Sequence, residues 1–333
     1  MPASPHDRPV PAGPAPPFDP ELAAVLATIG DDAPPTMTPD MIIPTRAAMA
    51  AMSMSDEALA RGGAYTVEER RAPGPDGAPD ITLLICRPTA ASAAVGAIYY
   101  THGAGMVMGD RRTGVDWALD LAAPLGLAVV SVEYRLAPEH PDPAPVEDCY
   151  AGLVWTARHA AELGIDPDRI VIYGRSAGGG LAAGVALLAR DRGGPALYGQ
   201  LLDSPMLDDR NDTVSSVQID GIGVWDRTSN QTGWDALLGD RRGGGDVSSY
   251  AAPAREADLS GLPPAFVAVG SAEVFRDESV AYASRIWRCG GVAELHVWPG
   301  GFHGFDVIAP EAAVSRSAVV ARTAWLRRLM GRR

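Results

Sequence analysis

The 333-residue sequence has no lysine at all: every one of its 28 basic residues is arginine. A phosphate loop of the form G-x-x-x-x-G-K-[ST] is thereby excluded, since its lysine reaches the phosphates. Cysteine is scarce as well. Cys86, Cys149 and Cys289 are odd in number and far apart, so neither a disulfide framework nor a metal-binding knuckle is indicated, and a reducing cytoplasm fits best. Basic charge is short overall: 41 acidic residues leave a formal net charge of -13, which argues against binding a phosphate backbone and so against nucleic acid as a partner. No run approaches the roughly 18 apolar residues that span a bilayer. The opening "MPASPHDRPVPAGPAPPFDP" lacks the apolar core of a signal peptide, and its proline density marks residues 1–20 as a disordered lead. The missing lysine, together with abundant Ala, Gly and Pro, reads as coding bias rather than function.

What is present is an alternation. "AYTVEERR", "ITLLICR", "VGAIYYT", "LAVVSVEY", "RIVIYG", "LYGQLLDS", "AFVAVG" and "AELHVWP" are apolar, β-branched runs that predict strands. From the third onward, helical patterns over 112–123, 144–163, 177–190, 276–289 and 311–329 separate most of them. Strands alternating with helices imply an α/β fold with a mostly parallel sheet covered on both faces. The first two lack an intervening helix and predict an antiparallel edge. Residues 21–62, helical and Met-rich, and 205–255 do not fit the alternation. An insertion of about 50 residues is far longer than the usual connection of about 4 to 6. Both are expected to form a helical cap over the ligand-binding edge of the sheet, leaving 63–204 and 256–333 as the catalytic domain.

Gly174, Ser176 and Gly178 spell G-x-S-x-G between a strand and the helix-like "AGGGLAAGVALLAR". Such a turn needs small neighbours, because strand and helix backbones come close there, and it forces the serine hydroxyl into the open. The motif alone is weak; its strand-turn-helix setting strengthens it. "GRSAGGG" does not match the dinucleotide pattern G-x-G-x-x-G either. A serine attacks only if a base takes its proton and an acid holds that base. Of six histidines, His303 in "PGGFHGFD" is the best base, in a glycine-flanked loop after the last strand. His296 lies within that strand, His6 in the lead, and His140 and His159 have no glycine-rich support. The acid should leave the preceding strand. "SAEVFRDES" offers Glu273, Asp277 and Glu278; Glu273 is favoured, because the other two fall in a helical first turn where the helix dipole already accounts for a carboxylate.

A tetrahedral intermediate also needs donors aimed at its oxyanion. "YYTHGAGMVMGD" follows the third strand, and the N–H groups of Gly103 and Ala104, with that of Ala177, could converge on one oxygen; His102 is expected to brace this loop rather than react.

Taken together, HGAG at 102–105, "YRLAPEHPDPAPVEDCYAGLVW" at 134–155, "GRSAGG" at 174–179, "EVFRDE" at 273–278 and "HGF" at 303–305 resemble the bacterial hormone-sensitive-lipase-like esterases. These are the HGGG-bearing branch of the α/β-hydrolases. The resemblance spans about residues 95 to 305 and implies an eight-stranded α/β-hydrolase fold, a helical cap and cofactor-free hydrolysis of short to medium acyl esters. It carries the triad over as Ser176, Glu273 and His303. Three positions depart from the family pattern: Ala104 stands for a glycine of HGGG, Arg175 for the usual Asp before the serine, and Glu273 for the usual Asp of the acid.

Eight methionines, Met37, Met41, Met49, Met52, Met54, Met106, Met108 and Met206, fall in segments expected to face the site, and suggest an adaptable apolar pocket. Met106, Met108 and Met206 are its expected lining, with Trp225 and Trp234 of the insertion as walls. The expected partner is a small-molecule ester, without metal, nucleic acid or membrane span, and a homodimer is compatible. Two other functions compete: the same triad acting on an amide, carbamate or lactone, and a non-catalytic ligand receptor on this fold. His303 argues against the second.

Overall fold

A computed structural model describes residues 12–30 and 36–331. The apolar runs form one eight-stranded sheet: β1 Tyr65–Ala72, β2 Ile81–Pro88, β3 Val95–Thr101, β4 Ala128–Val132, β5 Ile165–Arg175, β6 Gly199–Asp203, β7 Ala265–Gly270 and β8 Ala293–Trp298. Their spatial order is β1-β2-β4-β3-β5-β6-β7-β8. β2 is antiparallel to both β1 and β4, and every other neighbouring pair is parallel. This is the α/β-hydrolase fold with the antiparallel edge that the first two runs predict.

The helices are α1 Pro20–Ile29, α2 Ile42–Ala51, α3 Asp56–Ala60, α4 Val115–Ala122, α5 Ala144–Arg158, α6 Ala160–Leu163, α7 Ala177–Asp191, α8 Val214–Gln218, α9 Arg227–Leu238, α10 Arg276–Arg288, α11 Phe305–Ile308 and α12 Ala313–Met330. They cover both faces, and the period-2 geometry of a strand sorts the core between them. Tyr99 and Ile172 pack with Leu153 of α5 and Leu187 of α7; their strand neighbours Tyr100 and Tyr173 pack on the other face with Leu119 of α4 and Leu326 of α12. The central strands are buried on both sides, which is why they read as continuous apolar runs rather than as alternations.

The proline-rich lead is corrected where it is described. Residues 1–11 lie outside the described residues, but residues 12–19 are laid against the molecule. Phe18 packs edge-on against Phe302 at 5.8 Å, the Asp19 N–H donates to Gly300 O, and the Asp19 carboxylate caps α1. One aromatic anchor and one capping carboxylate outweigh the composition. The N-terminal segment also meets the insertion after β6: Met37 N–H donates to Ser229 Oγ, and Thr232 Oγ1 donates back to Met37 O.

Candidate active site

β5 ends at Arg175 and α7 begins at Ala177, so Ser176 alone makes the turn, at φ 57° and ψ -128°. A non-glycine residue in that region is strained by about 1–3 kcal/mol and persists only where its surroundings fix it. Here they do: Ser176 N–H donates to Asp203 O at 2.9 Å, and Ser176 O accepts from Gly180 and Met206 N–H. The flanking glycines answer to backbone crowding. A Cβ on Gly174 would stand 2.0 Å from Gly178 O, and one on Gly178 would stand 2.1 Å from Thr101 O.

The loop after β8 brings His303 to this serine, with Nε2 3.0 Å from Ser176 Oγ. Its Nδ1 lies 2.7 Å from Glu273 Oε1. A carboxylate can only accept, so the proton of the neutral ring sits on Nδ1 and Nε2 is left to accept from the hydroxyl. Glu273 is fully buried, and its second oxygen accepts from Ser204 Oγ at 2.9 Å and from Gly270 N–H at 3.0 Å. The carboxylate is thus held at both ends. Asp277 instead accepts from Ser215 N–H and Arg276, and Glu278 accepts from the Leu207 and Asp208 N–H groups, with burial pushing its pKa well up. Neither of these hydrogen-bonds to His303.

Opposite the serine, the loop after β3 comes so close that a Cβ on Gly103 would stand 3.3 Å from Ser176 Cβ. Among the described residues the N–H groups of Gly103 and Ala104 donate to no other group, and that of Ala177 is one of the unsatisfied donors at the start of α7. Ala104 does adopt φ 74°, the left-handed conformation that suits the family's glycine. His102 lies beneath, stacked on Tyr134 at 4.1 Å, with Nδ1 3.1 Å from Gly103 O. Burial pushes its pKa down to about 4 against the pull of that carbonyl, so the ring is a neutral brace.

A cavity of about 280 Å³ opens onto Ser176, His303, Gly103 and Ala104. Met108 and Trp225 line it as expected, joined by Met49, Trp117, Val224, Val307 and Ile308. Three expected lining residues do not. Met106, Met206 and Trp234 are at most 1% exposed and pack into the core behind the site. Met206 is held there by its own N–H bond to Ser176 O, and Met106 by the bond its carbonyl accepts from Ala137. Among the other methionines Met52 is 82% exposed and Met54 packs against the opposite face of the sheet, so a Met-lined pocket reduces to Met49 and Met108. Sequence reasoning also missed Ser204, whose hydroxyl donates to Glu273, and the lining residues that follow His303 in α11. The close spacing of Val307 and Ile308 to that histidine was the available signal.

A serine, a histidine and a carboxylate in one hydrogen-bonded line at the carboxyl ends of a parallel sheet define a hydrolase of the nucleophile-elbow class. The α/β-hydrolase fold family matches residues 98–307. The carboxylesterase NlhH of Mycobacterium tuberculosis is 36% identical over 317 residues, covering 88% of this chain and 92% of its own, and the carboxylic ester hydrolase LipN of the same organism is 34% identical over 305, covering 86% and 77%. Among solved structures, bacterial heroin esterase superposes with a TM-score of 0.86 at 38% identity, covering 95% of this chain and 98% of that one. The chain belongs to the α/β-hydrolases, in the hormone-sensitive-lipase-like branch. It is a carboxylic ester hydrolase, and the receptor alternative is set aside. No helix among the described residues is long and apolar enough to cross a membrane.

Proposed function

We propose that the protein hydrolyses small esters with short to medium acyl chains, with Ser176 as nucleophile, His303 as general base and acid, and Glu273 as the group that holds the imidazole. The observation that carries this is the unbroken hydrogen-bonded line from Ser176 Oγ through His303 to Glu273, at 3.0 and 2.7 Å. His303 Nε2 takes the hydroxyl proton as Oγ attacks the ester carbonyl. The tetrahedral oxyanion is received by the N–H groups of Gly103, Ala104 and Ala177, a contribution worth about 3–4 kcal/mol per well-placed donor. The imidazolium, stabilised by Glu273, then protonates the leaving alcohol, and the acyl group stays on Ser176. Water, deprotonated by the same nitrogen, releases the acid and restores the enzyme.

The acyl limit follows from volume. At about 280 Å³ the cavity falls just below the usual range of ligand sites, about 300 to 1,000 Å³, and Trp225 and Ala104 line it beside the serine. Segments 21–62 and 205–255 serve in this account as the cap over it; Trp225 and Met49 come from them. A series of p-nitrophenyl esters tests the proposal: kcat/KM should peak for short chains and fall steadily as the acyl group lengthens. A preference for chains beyond about ten carbons would contradict so small a pocket.

A further inference from the structure

Arg175, the last residue of β5 and the residue before Ser176, borders the catalytic cavity, and its side chain is only 10% exposed. Its Nη2 lies 2.5 Å from Asp306 Oδ1 and its Nη1 3.2 Å from Asp306 Oδ2. Nη1 is also 3.2 Å from Asp203 Oδ2. Arg322 closes the cluster from α12, with Nη2 2.6 Å from Asp203 Oδ2 and 2.8 Å from Asp306 Oδ2. The four side chains are 10% exposed or less, and the Trp117 ring covers the Arg175 guanidinium at 4.9 Å. Two cations and two anions cancel, which is the condition for burying any of them. An aspartate at 175, the family's usual residue, would set three carboxylates against Arg322 alone.

Where the cluster attaches matters more than its charge. Arg175 precedes the nucleophile, and Asp306 stands three residues after His303 in the one-turn α11. Asp203 accepts the Ser176 N–H on its carbonyl and is followed by Ser204, which donates to Glu273. One buried cluster therefore touches the chain beside each member of the triad. We infer that Arg175 is a positioning residue for ester hydrolysis: its two-pronged bridge to Asp306 fixes the histidine loop relative to the nucleophile turn. This rests on the Ser176–His303–Glu273 reading above. A bidentate guanidinium bridge is rigid in a way a point charge is not, and a misplacement of about 1 Å costs on the order of 100-fold in rate.

A purely structural ion pair can be replaced by apolar residues of similar size with little loss of stability; a positioning bridge cannot be replaced without losing turnover. The variant Arg175→Met/Asp306→Leu removes the bridge and leaves Asp203 and Arg322 paired with each other. We expect its Tm to stay within about 4 °C of wild type. Its kcat on p-nitrophenyl acetate should fall about tenfold or more with KM within about threefold, and organophosphate labelling of Ser176 should slow in step. A kcat loss below about tenfold, or a loss carried by KM, overturns the inference. Wild-type protein that is inhibited without labelling at Ser176 overturns the triad reading itself, and this inference with it. Should the double variant not fold, Arg175→Lys keeps the charge balance but cannot span both carboxylate oxygens; a kcat loss of about threefold or more supports the bridge, and a smaller one overturns it.

Discussion

Single residues in this site are held in conformations that their side chains resist. Ala104 sits at φ 74°, where a Cβ costs about 1 kcal/mol relative to glycine. Ala104→Gly should therefore raise the midpoint of urea unfolding by the equivalent of up to about 1 kcal/mol and widen the acyl site; a lowered midpoint would show that the loop is not strained there. Geometry at the same scale supports Glu273 as the proposed acid. Glu273 reaches His303 and Asp277 does not, so Glu273→Gln should lower kcat by about 10³- to 10⁴-fold, since a neutral amide can neither hold the tautomer nor stabilise the imidazolium. Asp277→Asn should keep nearly full turnover in the same assay. At this scale the meeting of Ser176, His303 and Glu273 was legible, because each follows a strand and those strand ends gather at one edge of the sheet. The placement of Met106, Met206 and Trp234 was not legible: a large apolar side chain in a segment near the site can point toward the cavity or toward the core, and only packing decides which.

The elements bring these residues together by close backbone approach. α7 enters against the loop after β3 so tightly that Gly178 has no room for a methyl group: it would meet Thr101 O at 2.1 Å and His102 O at 2.6 Å. Both obstacles are backbone and cannot swing aside, so Gly178→Ala should cost about 3 kcal/mol or more, read as a fall in Tm or as loss of folded protein. The same loop depends on a neutral His102. Burial holds its pKa at about 4, below the usual 6.5, so between those values the unfolded chain binds a proton that the folded chain refuses. His102 thus contributes stability that is present above about pH 6.5 and is lost as the pH falls toward 4, by an amount approaching about 3 kcal/mol. His102→Gln should flatten the fall in unfolding free energy between pH 7 and pH 4.5; an unchanged slope would place the acid sensitivity elsewhere. The strands were legible as elements because buried parallel strands are continuous apolar runs. Their neighbours in the sheet, β4 between β2 and β3 above all, follow from pairing that no local pattern records.

For the whole molecule, the carboxyl ends of the sheet carry the proposed triad, and the N-terminal segment and the insertion after β6 each supply a residue, Met49 and Trp225, to the cavity in front of it. That the lead contributes was hidden by its prolines: Phe18 and Asp19 tie it to the loop that carries His303, and a single anchor does not register in composition. Arg175 was legible as a departure from the family pattern but not as part of an ion cluster, because its partners Asp203, Asp306 and Arg322 converge from β6, α11 and α12. We propose that one serine, exposed by the turn after β5 and activated by His303, does the chemistry. Incubating the whole protein with a small organophosphate, locating the adduct by peptide mass spectrometry and following residual esterase activity puts this serine to the test. One adduct per chain is expected, on Ser176, with activity lost in proportion to labelling and no labelling of Ser176→Ala. Full turnover by Ser176→Ala, or loss of activity with Ser176 unmodified, would contradict it.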